Sequence, residues 1–112
     1  MKRGEIYVVD LGPVVGHEAG GVRPVVVVSN DVANLVPVLV AVVPTIRLAD
    51  STTRAGVVVP AGRSGYPDDL VALATHVRVL DASRFPEHPA GSVPVDLMAK
   101  IDLTLKVLLD LP

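Results

Sequence analysis

The pattern that most constrains this chain is a succession of short β-branched runs, of which Val25-Val26-Val27-Val28 is the clearest, set apart by Gly, Pro, Asn and Asp. β-Branched side chains suit a pleated surface, where their stiff χ1 costs little. Residues 5–10, 22–29, 36–44, 56–59, 70–74 and 76–80 read as five or six strands bounded by turn-prone residues. No helix-length amphipathic segment lies between them. A parallel sheet is therefore disfavoured, and the pattern predicts a mainly β (α+β) fold, an antiparallel barrel or small curled sheet. Residues 31–35 suit a brief helical turn, while 51–55 and 61–67 read as polar loops that each carry one arginine. Near the end the period changes. Leu97, Ile101, Leu105 and Leu108 recur at three- and four-residue spacing behind Pro94 and Asp96, which predicts one C-terminal helix packed on the sheet. Asp96 and Lys100 stand in the favourable i,i+4 order on its polar side.

At 112 residues the chain reads as a single domain, 1–112, small enough that an oligomer would help to cover apolar surface. Half of the residues are hydrophobic, yet no stretch reaches the roughly 18 apolar residues of a membrane span, and Glu5, Asp10 and Pro13 break any signal-peptide core. The expectation is a soluble, cytoplasmic protein with no membrane contact. There is no cysteine, which excludes disulfides, thiolate metal sites and a cysteine nucleophile. The formal charge of −2 supplies no global attraction for nucleic acid, so any such contact depends on a local cluster of arginines. Tyr7, Tyr66 and Phe85 are too few aromatics for a stacking platform.

Chemistry concentrates in Gly16-His17-Glu18-Ala19-Gly20-Gly21-Val22-Arg23-Pro24, a loop anchored between two valine runs. Its glycines permit positive φ and close backbone approach, and a hairpin loop of this length is usually functional. Pro24 fixes its own φ and pushes Arg23 toward extended geometry, which aims the guanidinium. The pair Asp68-Asp69 makes no metal site, since adjacent side chains diverge and no histidine stands at ligand spacing. No metal or cofactor is expected.

Arg3-Gly4-Glu5-Ile6-Tyr7-Val8-Val9-Asp10-Leu11-Gly12-Pro13, followed by Gly16-His17-Glu18 and by Arg23-Pro24-Val25-Val26-Val27-Val28-Ser29-Asn30-Asp31, resembles the MazF/PemK (Kid) toxins of type II toxin-antitoxin systems. The similarity continues through Val42-Val43-Pro44-Thr45, Val59-Pro60-Ala61, Pro67-Asp68-Asp69, His76-Val77-Arg78 and Val93-Pro94-Val95-Asp96-Leu97-Met98. The resemblance implies an SH3-like small barrel of the CcdB/PemK type with a C-terminal helix. It also implies a homodimer, a neutralising MazE-like antitoxin, and a metal-independent endoribonuclease that cuts single-stranded RNA at short sequences and so inhibits translation and growth. In such toxins a loop arginine and a strand threonine carry the chemistry; they map to Arg23 and Thr45. Two readings from other classes share the fold: a non-enzymatic CcdB-like topoisomerase poison, and an inactive relative that only binds RNA or antitoxin.

Cleavage of this kind uses the RNA 2'-hydroxyl as nucleophile, so the protein needs a proton acceptor, a proton donor and a cation for the phosphorane. Arg23 suits the last role, with a bridge to a carboxylate such as Glu18 as the purely structural alternative. His17 is a proton-transfer candidate at a place where many relatives carry serine, or else a solvent-exposed loop residue. Glu18 is a base, an orienting partner of Arg23 or a loop cap. The family more often places its threonine two residues after the position of Pro44, whereas Thr45 follows directly. Either a one-residue shortening restores Thr45 to the site or the hydroxyl is lost from it. Arg47, Arg54 and Arg63 are candidates for RNA phosphate contacts. His76, where the family commonly has glutamine, is a substrate contact or a strand histidine facing water.

Overall fold

The structure is a computed structural model that describes residues 1–31, 33–35, 38–52 and 55–112. Its strands are β1 (Glu5–Asp10), β2 (Val22–Val27), β3 (Leu39–Arg47), β4 (Val57–Val59), β5 (Leu70–Ala72), β6 (Arg78–Asp81) and β7 (Gly91–Ser92). A short helix α1 (Ala61–Ser64) follows β4, and α2 (Val95–Leu108) ends the fold. Four 3-10 turns, Ala33–Leu35, Leu48–Asp50, Ala74–His76 and Ala82–Arg84, complete the described secondary structure. All strand pairings are antiparallel in the order β4-β5-β3-β2-β1-β7, with β6 also on β3.

The sheet curls because β3 changes neighbour halfway along its length. Residues 39–42 pair with β6, whereas Thr45, Ile46 and Arg47 pair with β5. Val43 and Pro44 fall at the changeover. In an extended strand the N and O of one residue point to the same side, and the Pro44 carbonyl accepts from the Leu73 N–H at 2.9 Å. The missing N–H of Pro44 therefore faces the gap between β6 and β5, where a ladder donor is not needed. This is how β3 continues through a proline at which the sequence suggests that the strand stops.

Unbroken valine in β2 has its reason in the packing. Val26 belongs to a core with Ile6, Val43, Val59, Leu70 and the α2 residues Leu97, Met98 and Ile101. Val25 and Val27 belong to a second core on the reverse face, with Tyr7, Val9, Val40, Val42 and Leu80. Both faces of the central strands are covered, so alternation disappears. Tyr7 meets Phe85 edge-on at 5.6 Å between ring centroids and 84° between planes, an arrangement favoured by aromatic quadrupoles.

Helix α2 begins after Pro94 and buries Leu97, Met98 and Ile101. Leu105 packs partly against the core, whereas Leu108 is exposed. Asp96 bonds Arg63 rather than Lys100, through a bidentate pair at 2.8 and 2.9 Å. Arg3 joins Asp102 and also donates to the Val28 carbonyl at 2.9 Å, tying the chain start to α2. Three further departures from the sequence reading are local. Residues 61–64 are helical, β7 adds a strand, and the strand expected at 76–80 begins only at Arg78 because His76 closes a 3-10 turn. Among the described residues no helix is long and apolar enough to cross a membrane.

Candidate active site

The β1–β2 hairpin closes at a neck before its long loop. The Leu11 N–H donates to Gly21 O at 2.9 Å and the Gly21 N–H to Gly12 O at 2.7 Å. Gly21 has φ 73°, a left-handed value that glycine adopts without steric cost. At Gly20 the constraint is space. A Cβ there would stand 2.7 Å from Val14 Cγ2 and 2.9 Å from both Gly12 O and Val14 N.

Arg23 leaves this neck on β2, opposite Val9. Its Nε donates to Gly20 O at 2.8 Å and its Nη1 to Thr45 O at 3.1 Å. Neither bond is to a carboxylate. The bridge to Glu18 that the sequence allows is not made.

Thr45 lies on the neighbouring strand and is 0% exposed. Its hydroxyl donates to Pro24 O at 2.7 Å, while its carbonyl accepts from Arg23. The β2–β3 ladder ends at Val25↔Pro44. Thr45 therefore continues the attachment one residue beyond it, through a side chain. Arg23 and Thr45 line a cleft of about 310 Å³ together with Pro24, Tyr66, Asp50 and Asp68.

His17 and Glu18 line a different recess, of about 450 Å³, with Thr75, His76 and Arg78. The ring Nε2 of His76 stands 3.0 Å from the His17 carbonyl, and its Nδ1 stands 3.1 Å from Thr75 Oγ1. His76 is thus a clasp between the loop and the turn before β6. The candidate residues form two recesses joined by loop residues 19–22, not one cavity.

Arg47 opens onto the Arg23 cleft but is taken by Asp50, Nε to Oδ2 at 2.8 Å. That hydrogen bond, followed by the charge of Asp50, holds the Arg47 pKa above its ordinary value. Arg63 is likewise engaged, by Asp96. Arg54 lies outside the described residues. Sequence reasoning missed Asp50, Tyr66 and Asp68 as cleft residues. The i,i+3 spacing of Arg47 and Asp50 is a visible sign of the first, whereas Tyr66 and Asp68 reach the cleft only through the fold. Among the described residues no group of three or more His, Asp or Glu stands together as metal ligands.

Residues 2–109 match the family model for the PemK-like, MazF-like toxin of type II toxin-antitoxin systems. The chain is 35% identical over 112 residues to Endoribonuclease EndoA of Bacillus subtilis, spanning 99% of this chain and 96% of that protein. Its structure is similar to the crystal structure of MazF from Deinococcus radiodurans, with a TM-score of 0.82 at 29% identity, covering 99% and 97% of the two chains. It is also similar to an endoribonuclease solved in complex with its cognate antitoxin from a mycobacterial species, with a TM-score of 0.75 at 26% identity, covering 100% and 97%.

Proposed function

Because this chain belongs to the PemK-like, MazF-like toxin family of type II toxin-antitoxin systems, we propose that the cleft beside Arg23 is where it cuts RNA. The chain is an endoribonuclease toxin. In this reading the substrate is single-stranded RNA and supplies its own nucleophile. The 2'-oxygen forms a bond to the adjacent phosphorus and gives up its proton. The P–O5' bond then breaks and the 5'-oxygen takes a proton, leaving a 2',3'-cyclic phosphate and a 5'-hydroxyl.

The observation that carries this reading is the anchoring of Arg23. Two carbonyls fix its guanidinium without neutralising it, so its remaining N–H donors meet the growing phosphorane charge with little reorganisation. Thr45 supports it by holding Arg23 through one oxygen and Pro24 through the other. His17 and Glu18 serve the proton transfers when the RNA backbone crosses loop residues 19–22 and brings the reacting group between the two recesses, while His76 contacts a flanking nucleotide in the second. The cognate partner is an antitoxin that covers this groove, and the active species is a homodimer.

The test is cleavage of a mixed single-stranded RNA pool in EDTA, with cut ends mapped. The parent protein cuts at short defined sequences. Arg23→Ala loses at least about 10²-fold in rate, the scale of removing an oxyanion-type donor. RNA left intact by the parent under all conditions overturns the reading.

A further inference from the structure

The described residues include Arg3, Arg23, Arg47, Arg63, Arg78 and Arg84, and they divide into two kinds. Arg3, Arg47 and Arg63 are paired with Asp102, Asp50 and Asp96. Arg23, Arg78 and Arg84 form no ion pair among the described residues and bond main-chain carbonyls instead. Arg78 donates to Leu11 O at 3.2 Å and Arg84 to Asp10 O at 3.1 Å, while Arg23 donates to Gly20 O. These acceptors all belong to the neck of one hairpin.

Arg78 begins β6, and Arg84 closes the 3-10 turn after it. The fold thus carries both to a neck formed some seventy residues earlier, where Arg23 already stands. Asp81 is near enough to Arg84 for the charges to interact, but the hydrogen bonds of Asp81 go to Ser83. A carbonyl occupies one N–H of a guanidinium and leaves the net charge and the other donors available. In a chain of formal charge −2, three arginines that form no ion pair among the described residues are thus tied to one hairpin neck, and their spare N–H donors suit a polyanion.

We propose that Arg78 and Arg84 bind backbone phosphates on the RNA that flank the scissile phosphate held at Arg23. This rests on the ribonuclease reading above. Neither residue touches the reacting atoms, so their contribution is to affinity and register, with the carbonyl bonds keeping the two forks at fixed points along the neck. The walls of the His17 recess include Arg78, which places one phosphate contact beside that recess and leaves Arg84 to extend the track.

The experiment follows cleavage of a fluorogenic single-stranded oligoribonucleotide across a tenfold range of KCl by the parent, Arg78→Gln, Arg84→Gln and the double variant. Each single variant raises KM several-fold at low salt and leaves kcat near the parent value. The slope of log(1/KM) against log[KCl] becomes shallower by about 0.7 for each phosphate that is no longer held. Arg78→Lys and Arg84→Lys recover most of the slope, since a point charge still meets a phosphate. That recovery separates missing charge from a disturbed loop. Unchanged KM and slope in the Gln variants, or a fall in kcat alone, overturns the proposal. If the parent cuts nothing, the ribonuclease reading fails first, and fluorescence anisotropy with the same oligonucleotide then decides between the two ideas. Binding that loses slope in the Gln variants upholds the phosphate track, and no binding overturns it. Weakened antitoxin binding with an unchanged RNA slope assigns the cluster to an acidic peptide and also overturns it.

Discussion

Thr45 shows how one residue holds two neighbours, Pro24 through its hydroxyl and Arg23 through its carbonyl. Its buried hydroxyl donates to Pro24 O, and a buried acceptor left unpaired costs about 1–3 kcal/mol. Thr45→Val keeps the shape and removes the bond. The expected result is a loss of that size in urea unfolding, together with slower RNA cleavage as Arg23 loses its fixed position. Unchanged stability would show that Pro24 O finds another donor. Asp96 carries a different consequence. Its hydrogen bonds to Arg63 hold its pKa below the ordinary 3.8. Between the lowered and ordinary values the unfolded chain binds more protons than the folded one, so stability falls as pH falls through that window. Above 3.8 the contribution is fully present. Asp96→Asn is therefore expected to flatten the acid limb of a melting-temperature profile, and an unchanged limb would remove the bridge from the account. The neighbouring Asp96-Lys100 spacing was legible in the sequence, but the choice of Arg63 required α1 to form against the start of α2.

At the scale of elements, the hairpin neck is the part on which the proposed site rests. Gly20→Ala places a Cβ against main-chain atoms of residues 12 and 14, so the loop must shift and carry the Gly20 carbonyl away from Arg23. Cleavage is expected to fall by an order of magnitude or more while the melting temperature changes by only a few degrees, since neither core is touched. An enzyme of parent activity would mean that the loop yields without moving Arg23. Strand identity was largely readable from the valine runs, because β-branched residues at this density have few other uses. The end of β3 was not. A proline normally terminates a ladder, and only the switch of partners from β6 to β5 makes Pro44 acceptable inside a strand. His76 is similar: it closes a 3-10 turn, and its ring meets the loop from 59 residues away.

For the whole molecule, the covered faces account for most of the valine but not all of the apolar surface. Val38, Leu39 and Val79 remain exposed near the β3–β6 edge, as do Leu103 and Val107 on α2. Patches of this kind on a small domain mark contact surfaces. The proposed homodimer predicts a sedimenting species of twice the 11.7 kDa chain at micromolar concentration, and a single 11.7 kDa species under those conditions would contradict it.

The sequence by itself determined the antiparallel β class, the C-terminal helix and the long hairpin loop that leads to Arg23, because these follow from local propensity, periodicity and the stereochemistry of Gly and Pro. It also carried the family, in the motif residues from Arg3 to Asp31. Only the tertiary structure decided which of the described arginines form ion pairs and which bond main-chain carbonyls instead, which recess each described candidate lines, and that the hydroxyl and carbonyl of Thr45 serve two different neighbours. The reason is physical: hydrogen-bond partners are chosen by distance in space, and the partners of Arg23, Arg63, His76, Arg78 and Arg84 come from other elements.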